Sequence, residues 1–246
     1  MNQPILDTRW ADHYELPPSG NMMDSGPNRK GVFIRQGTRM FEVIEKCILE
    51  FGFSKPIRDL TVLDFGCGNG RVALPFYFKY SKPNMCIDVD SDVVEYLKQI
   101  IPGANPSTSL YKPPLPIADQ TFDVVYAISV WTHLPEELQA AWLAEISRIL
   151  KEGGLALIST SSYTALAERR KWLSDWRDVT DDHLKRQGFI FKACPPTPGV
   201  TGTYGYAAHD PSWIKNKWSK WFDVRETKLS IIEGLQDLHI LVRRPA

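Results

Sequence analysis

Apolar residues at Met40, Phe41, Ile44, Cys47, Ile48 and Phe51 recur at helical spacing, which predicts a helix over residues 38–51. The pattern then changes. Val62, Leu63 and Phe65 form a short apolar run that suits a buried parallel strand over 61–65. The apolar-periodic stretch RVALPFYFKY follows and predicts a helix over about 70–80, and NMCIDV at 84–89 reads as a second strand. Ser91 fits an N-cap for a helix whose face is Val94, Leu97 and Ile101 and whose end is Pro102-Gly103. A short third strand falls within 105–111, and the proline-rich loop KPPLPIADQ at 112–120 suits neither regular element. FDVVYAI at 122–128 is a strong buried-strand signal. Pro135, Glu136 and Glu137 open a helix carried by Leu138, Trp142, Ile146, Ile149 and Leu150, and Gly153-Gly154 is expected to end it before a strand at 155–160.

Strands alternating with helices of these lengths imply an α/β fold with a mostly parallel sheet and helices on both faces. Residues 1–30 lack a sustained period and read as an irregular arm. The rhythm breaks again over 161–220: helices are predicted near 164–176 and 180–187, then an irregular stretch rich in Pro and Gly at 193–206, then a helix opened by Asp210-Pro211. Two strands, 222–228 and 238–242, close the chain. The organisation expected is one domain over 1–246. It comprises an arm and helix (1–55), a ligand-binding core (56–160), an acceptor-side insertion or lid (161–220) and final strands (221–246).

Composition narrows the classes. The 246 residues carry 29 basic and 29 acidic side chains, so the formal net charge is zero, which disfavours a nucleic-acid backbone as partner. No apolar run approaches a membrane span, and the N-terminus has no signal-peptide pattern; a cytoplasmic location is expected. Cys47, Cys67, Cys86 and Cys194 show no metal-type spacing, and no metal is expected. Of the eight tryptophans, Trp172, Trp176, Trp213, Trp218 and Trp221 lie in the last third, where they serve either core packing or a stacking pocket.

The chemistry concentrates at residues 62–71, Val-Leu-Asp-Phe-Gly-Cys-Gly-Asn-Gly-Arg. Strand, glycine turn and helix form the ligand-binding corner of a Rossmann-type sheet. The spacing is GxGxG (Gly66, Gly68, Gly70) rather than the GxGxxG of dinucleotide binders, and Asp64 stands two residues before the first glycine. A carboxylate there opposes a pyrophosphate and tolerates a cationic ligand. Asp88 closes the second strand 22 residues after Gly66, where an acid hydrogen-bonds the ribose hydroxyls of an adenosine ligand.

These residues resemble motif I of class I S-adenosylmethionine (SAM)-dependent methyltransferases. Residues 113–154, with a proline-containing loop, an F-D-V-V strand, a His-Leu after it and a helix ending in L-K-x-G-G, resemble that family's following motifs. The QDLHILV segment is similar to a subgroup associated with glycan and cell-surface polysaccharide biosynthesis. The resemblance implies a Rossmann-like class I sheet with one antiparallel late strand, SAM as cofactor and S-adenosylhomocysteine as product. By position it implies that Gly66, Cys67 and Gly68 contact the methionine part through backbone and that Asp64 acts on its ammonium side. It also implies that Asp88 binds the ribose, that Val89 packs on adenine, and that Leu110 or Tyr111 flanks the adenine edge. The chain departs from many relatives in having no acid in SLYK for the adenine amino group. Ser129, after the fourth strand, is implied to lie under the methionine moiety.

Methyl transfer needs mainly alignment, and an oxygen acceptor of high pKa additionally needs a base. His133 is one candidate, and the pair His209 and Tyr204 is a second; a purely structural role for each stays open. The acceptor expected is a small molecule or a glycan, bound through an oxygen. The alternatives are an NAD(P)-dependent oxidoreductase, disfavoured by the glycine spacing, and a SAM-fold binding subunit without catalysis.

Overall fold

The computed structural model describes residues 10–11, 29–195 and 203–245. The chain divides into two compact units, Met1–Ser109 and Leu110–Ala246. The expected irregular arm over 1–30 and the middle of the Pro/Gly-rich stretch lie outside the described residues, apart from residues 10–11 and 29–30.

The first unit contains α1 (Arg29–Phe51), β1 (Val62–Phe65), α2 (Ala73–Tyr80), β2 (Met85–Asp88), α3 (Ser91–Ile100) and β3 (Pro106–Thr108). Its strands are parallel in the order β3-β2-β1, with Asp64 opposite Cys86 and Asp88 opposite Thr108. Every residue of β1 is buried, as its unbroken apolar run requires. A core of Phe33, Leu74, Cys86 and Leu97 packs around it, and Trp10 joins through an indole N–H donated to Thr38 Oγ1 at 3.1 Å. Helix α1 starts nine residues earlier than its periodicity indicates, at Arg29 rather than Thr38. Gly37 interrupts the helical signal, yet a side chain there would come within 2.3 Å of the Arg71 carbonyl oxygen. The glycine lets α1 approach the start of the next helix, while the Arg71 guanidinium lies 5.4 Å from the Phe33 ring centre. Ser91 is the first residue of α3 rather than its cap. Asp90 caps it by accepting from Asp92 N at 2.9 Å, the shorter and more effective carboxylate arrangement.

The second unit contains β4 (Phe122–Ala127), α4 (Glu136–Ile149), β5 (Leu150–Ser161), α5 (Tyr163–Trp172), α6 (Asp181–Gln187), β6 (Phe189–Ala193), β7 (Gly205–His209), α7 (Pro211–Trp218), β8 (Phe222–Ile232) and β9 (Gln236–Arg243). Four strands lie in the order β4-β5-β9-β8. β4 and β5 are parallel, and β9 runs antiparallel to both of its neighbours, as expected of one late strand. The glycine pair does not terminate α4: the helix ends at Ile149 and β5 starts at once. Phe122 pairs with Leu150 and Val124 with Leu155, so residues 151–154 bulge out, with Gly153 at φ +69°. A side chain on Gly154 would meet the Lys151 carbonyl oxygen at 2.8 Å.

The flanks of the stretch read as irregular are strands. β6 and β7 form a separate antiparallel pair, Phe189 opposite His209 and Ala193 opposite Gly205. Proline and glycine obscure an alternation only five residues long on each side. Thr180 and Asp210 cap α6 and α7 as the sequence indicates, Asp210 accepting from Ser212 N at 2.8 Å.

Candidate functional site

The glycine corner is built entirely within the first unit. Where β1 ends, Gly66 N and Cys67 N both donate to the Ile87 carbonyl, at 2.8 and 3.0 Å, which folds the loop over the end of β2. Gly66, Gly68 and Gly70 all have positive φ (74°, 48° and 79°), the left-handed region that side chains resist. The two later glycines have different reasons to be glycine. A side chain at Gly70 would strike Leu97 Cδ2 at 2.7 Å, so packing demands its absence. A side chain at Gly68 would meet no protein atom within 4 Å, so the open space there is left for something other than the chain itself.

Asp88 ties the loop to the second strand. Its Oδ2 accepts from Gly68 N at 2.8 Å and its Oδ1 from Asp90 N at 3.0 Å. Burial raises its pKa, and those backbone donors pull the other way. Each carboxylate oxygen has a further lone pair available to a hydroxyl. The Asn69 side-chain oxygen, on the same loop, is buried and accepts no hydrogen bond, an acceptor that a ligand's donor fits. Asp64 is buried within β1, and Val89 is 40% exposed just past β2. Cys67 and Cys86 are buried beside each other, and both thiols are held above their usual pKa, so neither is a ready nucleophile. The residues present thus fit an adenosine ligand: a diol-binding acid, open backbone at a glycine and an unsatisfied acceptor.

The second unit holds the remaining predicted residues. Leu110 is 74% exposed. Tyr111 donates its hydroxyl to the Thr203 carbonyl and accepts through its own carbonyl from Trp142 Nε1 at 3.3 Å. Ser129, just past β4, is a non-glycine residue at φ +63°. A closed polar ring holds it there: Ser129 N donates to Ser159 Oγ at 2.7 Å, Ser159 Oγ to Gln236 Oε1 at 2.8 Å, and Gln236 Nε2 to Ser129 Oγ at 2.8 Å. Strain of this kind persists only where its surroundings over-determine it.

His133 follows in a short 3-10 turn, Trp131–His133. Its Nδ1 lies 2.9 Å from the Gly205 carbonyl, which can only accept, so Nδ1 carries the proton. Its Nε2 is then a lone pair, 3.2 Å from the Tyr204 hydroxyl that donates to it. Tyr204 also stacks on the imidazole, centroids 4.5 Å apart, and Tyr206 lies at 5.5 Å. Burial lowers the His133 pKa to about 4 and raises that of Tyr204 to about 12, so at neutral pH the imidazole is uncharged and the phenol keeps its proton.

Tyr204 therefore partners His133, and His209 lies elsewhere. His209 is buried between Phe189 and Trp213, with Nε2 3.0 Å from Gln139 Oε1 and Nδ1 3.4 Å from the Ser161 carbonyl. Burial lowers its pKa to about 3, so one proton serves two acceptors. Gln139 donates its amide to the Trp131 and Leu134 carbonyls, which fixes its oxygen toward His209 and assigns the proton to Nε2.

Arg169 carries no signal in the sequence. Within AERRKW on α5 it reads as part of a solvated charged face. The fold instead turns it inward. It donates from Nη1 to the Ala207 carbonyl on β7 at 2.6 Å and from Nη2 to Ser161 Oγ at the end of β5 at 2.8 Å, and it lies 5.1 Å from the centres of both the Trp176 and Tyr206 rings.

Comparison with known proteins follows this geometry. Residues 63–158 match the family described as "Methyltransferase domain", a span that begins in β1 and ends in β5. Solved structures of the same fold include a magnesium protoporphyrin IX methyltransferase from Synechocystis PCC 6803, 16% identical, TM-score 0.57, covering 96% of this chain and 93% of that one. A glycopeptide N-methyltransferase is 14% identical with TM-score 0.58 over 85% of this chain and 94% of that one. A geranyl diphosphate C-methyltransferase from Streptomyces coelicolor A3(2) is 11% identical with TM-score 0.55 over 92% and 85% of the two chains. From the glycine corner of β1, the acid that closes β2 and these matches, the chain carries a methyltransferase domain on the Rossmann-like α/β fold of class I SAM-dependent methyltransferases.

Proposed function

We propose that the protein transfers the methyl group of SAM to an oxygen of a small-molecule or glycan-type acceptor. The observation that carries the cofactor half is the loop at Gly68. Its backbone is held by Asp88, and no protein atom occupies the space a side chain would fill. In this reading Asp88 binds the ribose hydroxyls, Gly66, Cys67 and Gly68 present backbone to the amino-acid end, Asp64 supplies negative charge on the ammonium side, and Val89 offers an apolar surface to adenine. Leu110 and Tyr111 flank the adenine edge, and Ser129, rigid in its polar ring, supports the methionine moiety. Related folds were solved with S-adenosylhomocysteine or with sinefungin bound, which supports the same cofactor here.

Bound SAM supplies an electrophilic methyl group, so the chain's own task is to orient the acceptor and remove its proton. His133 suits the second task. It is neutral, its tautomer is set by the Gly205 carbonyl, and its Nε2 lone pair is already engaged by a hydroxyl, that of Tyr204. Relatives of this fold are named as nitrogen and carbon methyltransferases, so the choice of oxygen rests on His133 alone.

Calorimetric titration with SAM and S-adenosylhomocysteine tests the cofactor half. Saturable binding is expected, weakened at least tenfold by Asp88→Ala, about 1.4 kcal/mol. Absence of binding by the wild-type chain overturns the proposal.

A further inference from the structure

Arginines in this protein that are withdrawn from water are generally matched by carboxylates. Arg148 pairs with Glu145 and Asp119, and Arg170 pairs with Asp181. Arg169 is the exception. Its two hydrogen bonds go to a carbonyl and a hydroxyl, both neutral, and among the described residues no carboxylate lies within ion-pair distance. Removing a guanidinium from water without a counter-charge is expensive, and two aromatic faces at 5.1 Å offset only part of that cost. Burial accordingly lowers its pKa to about 10, still fully charged at neutral pH. The side chain is only partly buried, so a ligand can reach it. Guanidinium has five N–H donors, of which these bonds use two.

Position adds the second argument. Ser161, which fixes Nη2, is the last residue of β5, and ligands of open α/β sheets bind beyond the carboxyl ends of parallel strands. Tyr206, which stacks near Arg169, also lies 5.5 Å from the His133 ring, which itself stacks on Tyr204. Arginine, two tyrosines and histidine thus form one contiguous surface in the second unit. Lys192 lies 5.7 Å from the other partner ring, Trp176, and adds positive charge to the same region.

We propose that Arg169 anchors an oxyanion of the methyl acceptor, a carboxylate or a phosphoryl group, and so selects anionic acceptors for transfer beside His133. The meaning of this anchor as an acceptor site rests on the methyltransferase reading, but the anion site itself does not. A guanidinium fork receives either oxyanion through two parallel N–H bonds, and an aromatic or sugar ring on the acceptor finds Tyr204 and Tyr206 alongside.

The test uses the full chain and three probes matched in ring size, followed by ligand-observed NMR: benzoate, phenyl phosphate and neutral benzamide. At least one anion is expected to bind saturably, at least tenfold more tightly than benzamide. Preference for benzoate assigns a carboxylate, and preference for phenyl phosphate assigns a phosphoryl group. Arg169→Gln should weaken the anion at least tenfold and Arg169→Lys by less, with S-adenosylhomocysteine affinity unchanged within twofold in both. A measurement needing no variant is protection of Arg169 from phenylglyoxal by the bound anion, read by peptide mass spectrometry. The proposal is overturned if no anion binds, if benzamide binds equally well, if the substitutions leave anion binding unchanged, or if Arg169 is not protected. Failure of the wild-type chain to bind S-adenosylhomocysteine would overturn the methyltransferase reading instead, and leaves the anion result standing.

Discussion

Acid should destabilise this protein through three histidines that fold in the neutral state. Burial pushes His133 down to about 4 and His209 and His239 down to about 3. In the unfolded chain each titrates near 6.5. A folded pKa below the unfolded one means that the unfolded chain takes up protons first as the pH falls. The stability is therefore fully present above pH 6.5 and is lost on descending from there toward 4 and 3. At pH 5.5 the unfolded state gains RT ln 11, about 1.4 kcal/mol per histidine, while the folded state gains almost nothing. Three sites together amount to about 4 kcal/mol, a large share of the 5–15 kcal/mol typical of a folded domain. Asp88 and Asp237, whose pKa values burial raises, act in the opposite sense, so the contribution of each histidine has to be isolated by substitution. Urea unfolding at pH 7.5 and 5.5, followed by tryptophan fluorescence, measures the loss. His209→Gln should lose about 1.4 kcal/mol less than wild type between those two pH values, whatever its stability at pH 7.5. Equal losses in the two proteins, or an imidazole NMR titration of folded His209 or His239 above pH 5, would refute the reasoning.

The glycine loop separates packing from binding. Gly68→Ala should cost only about 1–2 kcal/mol of stability, for a left-handed alanine that meets no protein atom, yet weaken S-adenosylhomocysteine binding more than tenfold by calorimetry. Gly70→Ala should instead lower stability by about 3 kcal/mol or more, because its methyl group meets Leu97 at 2.7 Å; similar melting temperatures for the two variants would count against this division. Gln236→Ala opens the ring around Ser129 and should cost about 1–3 kcal/mol in urea unfolding, and an unchanged midpoint would show that the ring does not hold the strained residue.

The sequence by itself determined the strands and the cofactor corner. β1, β2 and β4 were legible because a strand buried on both faces must be continuously apolar, and nothing else in the chain has that composition. The glycines and Asp88 were legible because backbone geometry and one strand–helix–strand spacing constrain them locally. Elements that depend on distant partners were not. Gly153 and Gly154 look like a helix stop, and only pairing with β4 makes them a bulge. β6 and β7 need each other to be strands at all. Tyr204 was read beside His209, its sequence neighbour, but the β7 backbone presents Gly205 and Tyr204 to His133, 71 residues away, and sends His209 into the core. Arg169 is the clearest case. Its identity says only that a charge exists, and whether that charge is solvated or withdrawn depends on Ser161, Trp176 and Ala207, which tertiary packing alone brings around it. Local constraints thus fixed where the methyl donor binds, while the residues that face an acceptor were decided by contacts between segments remote in the chain.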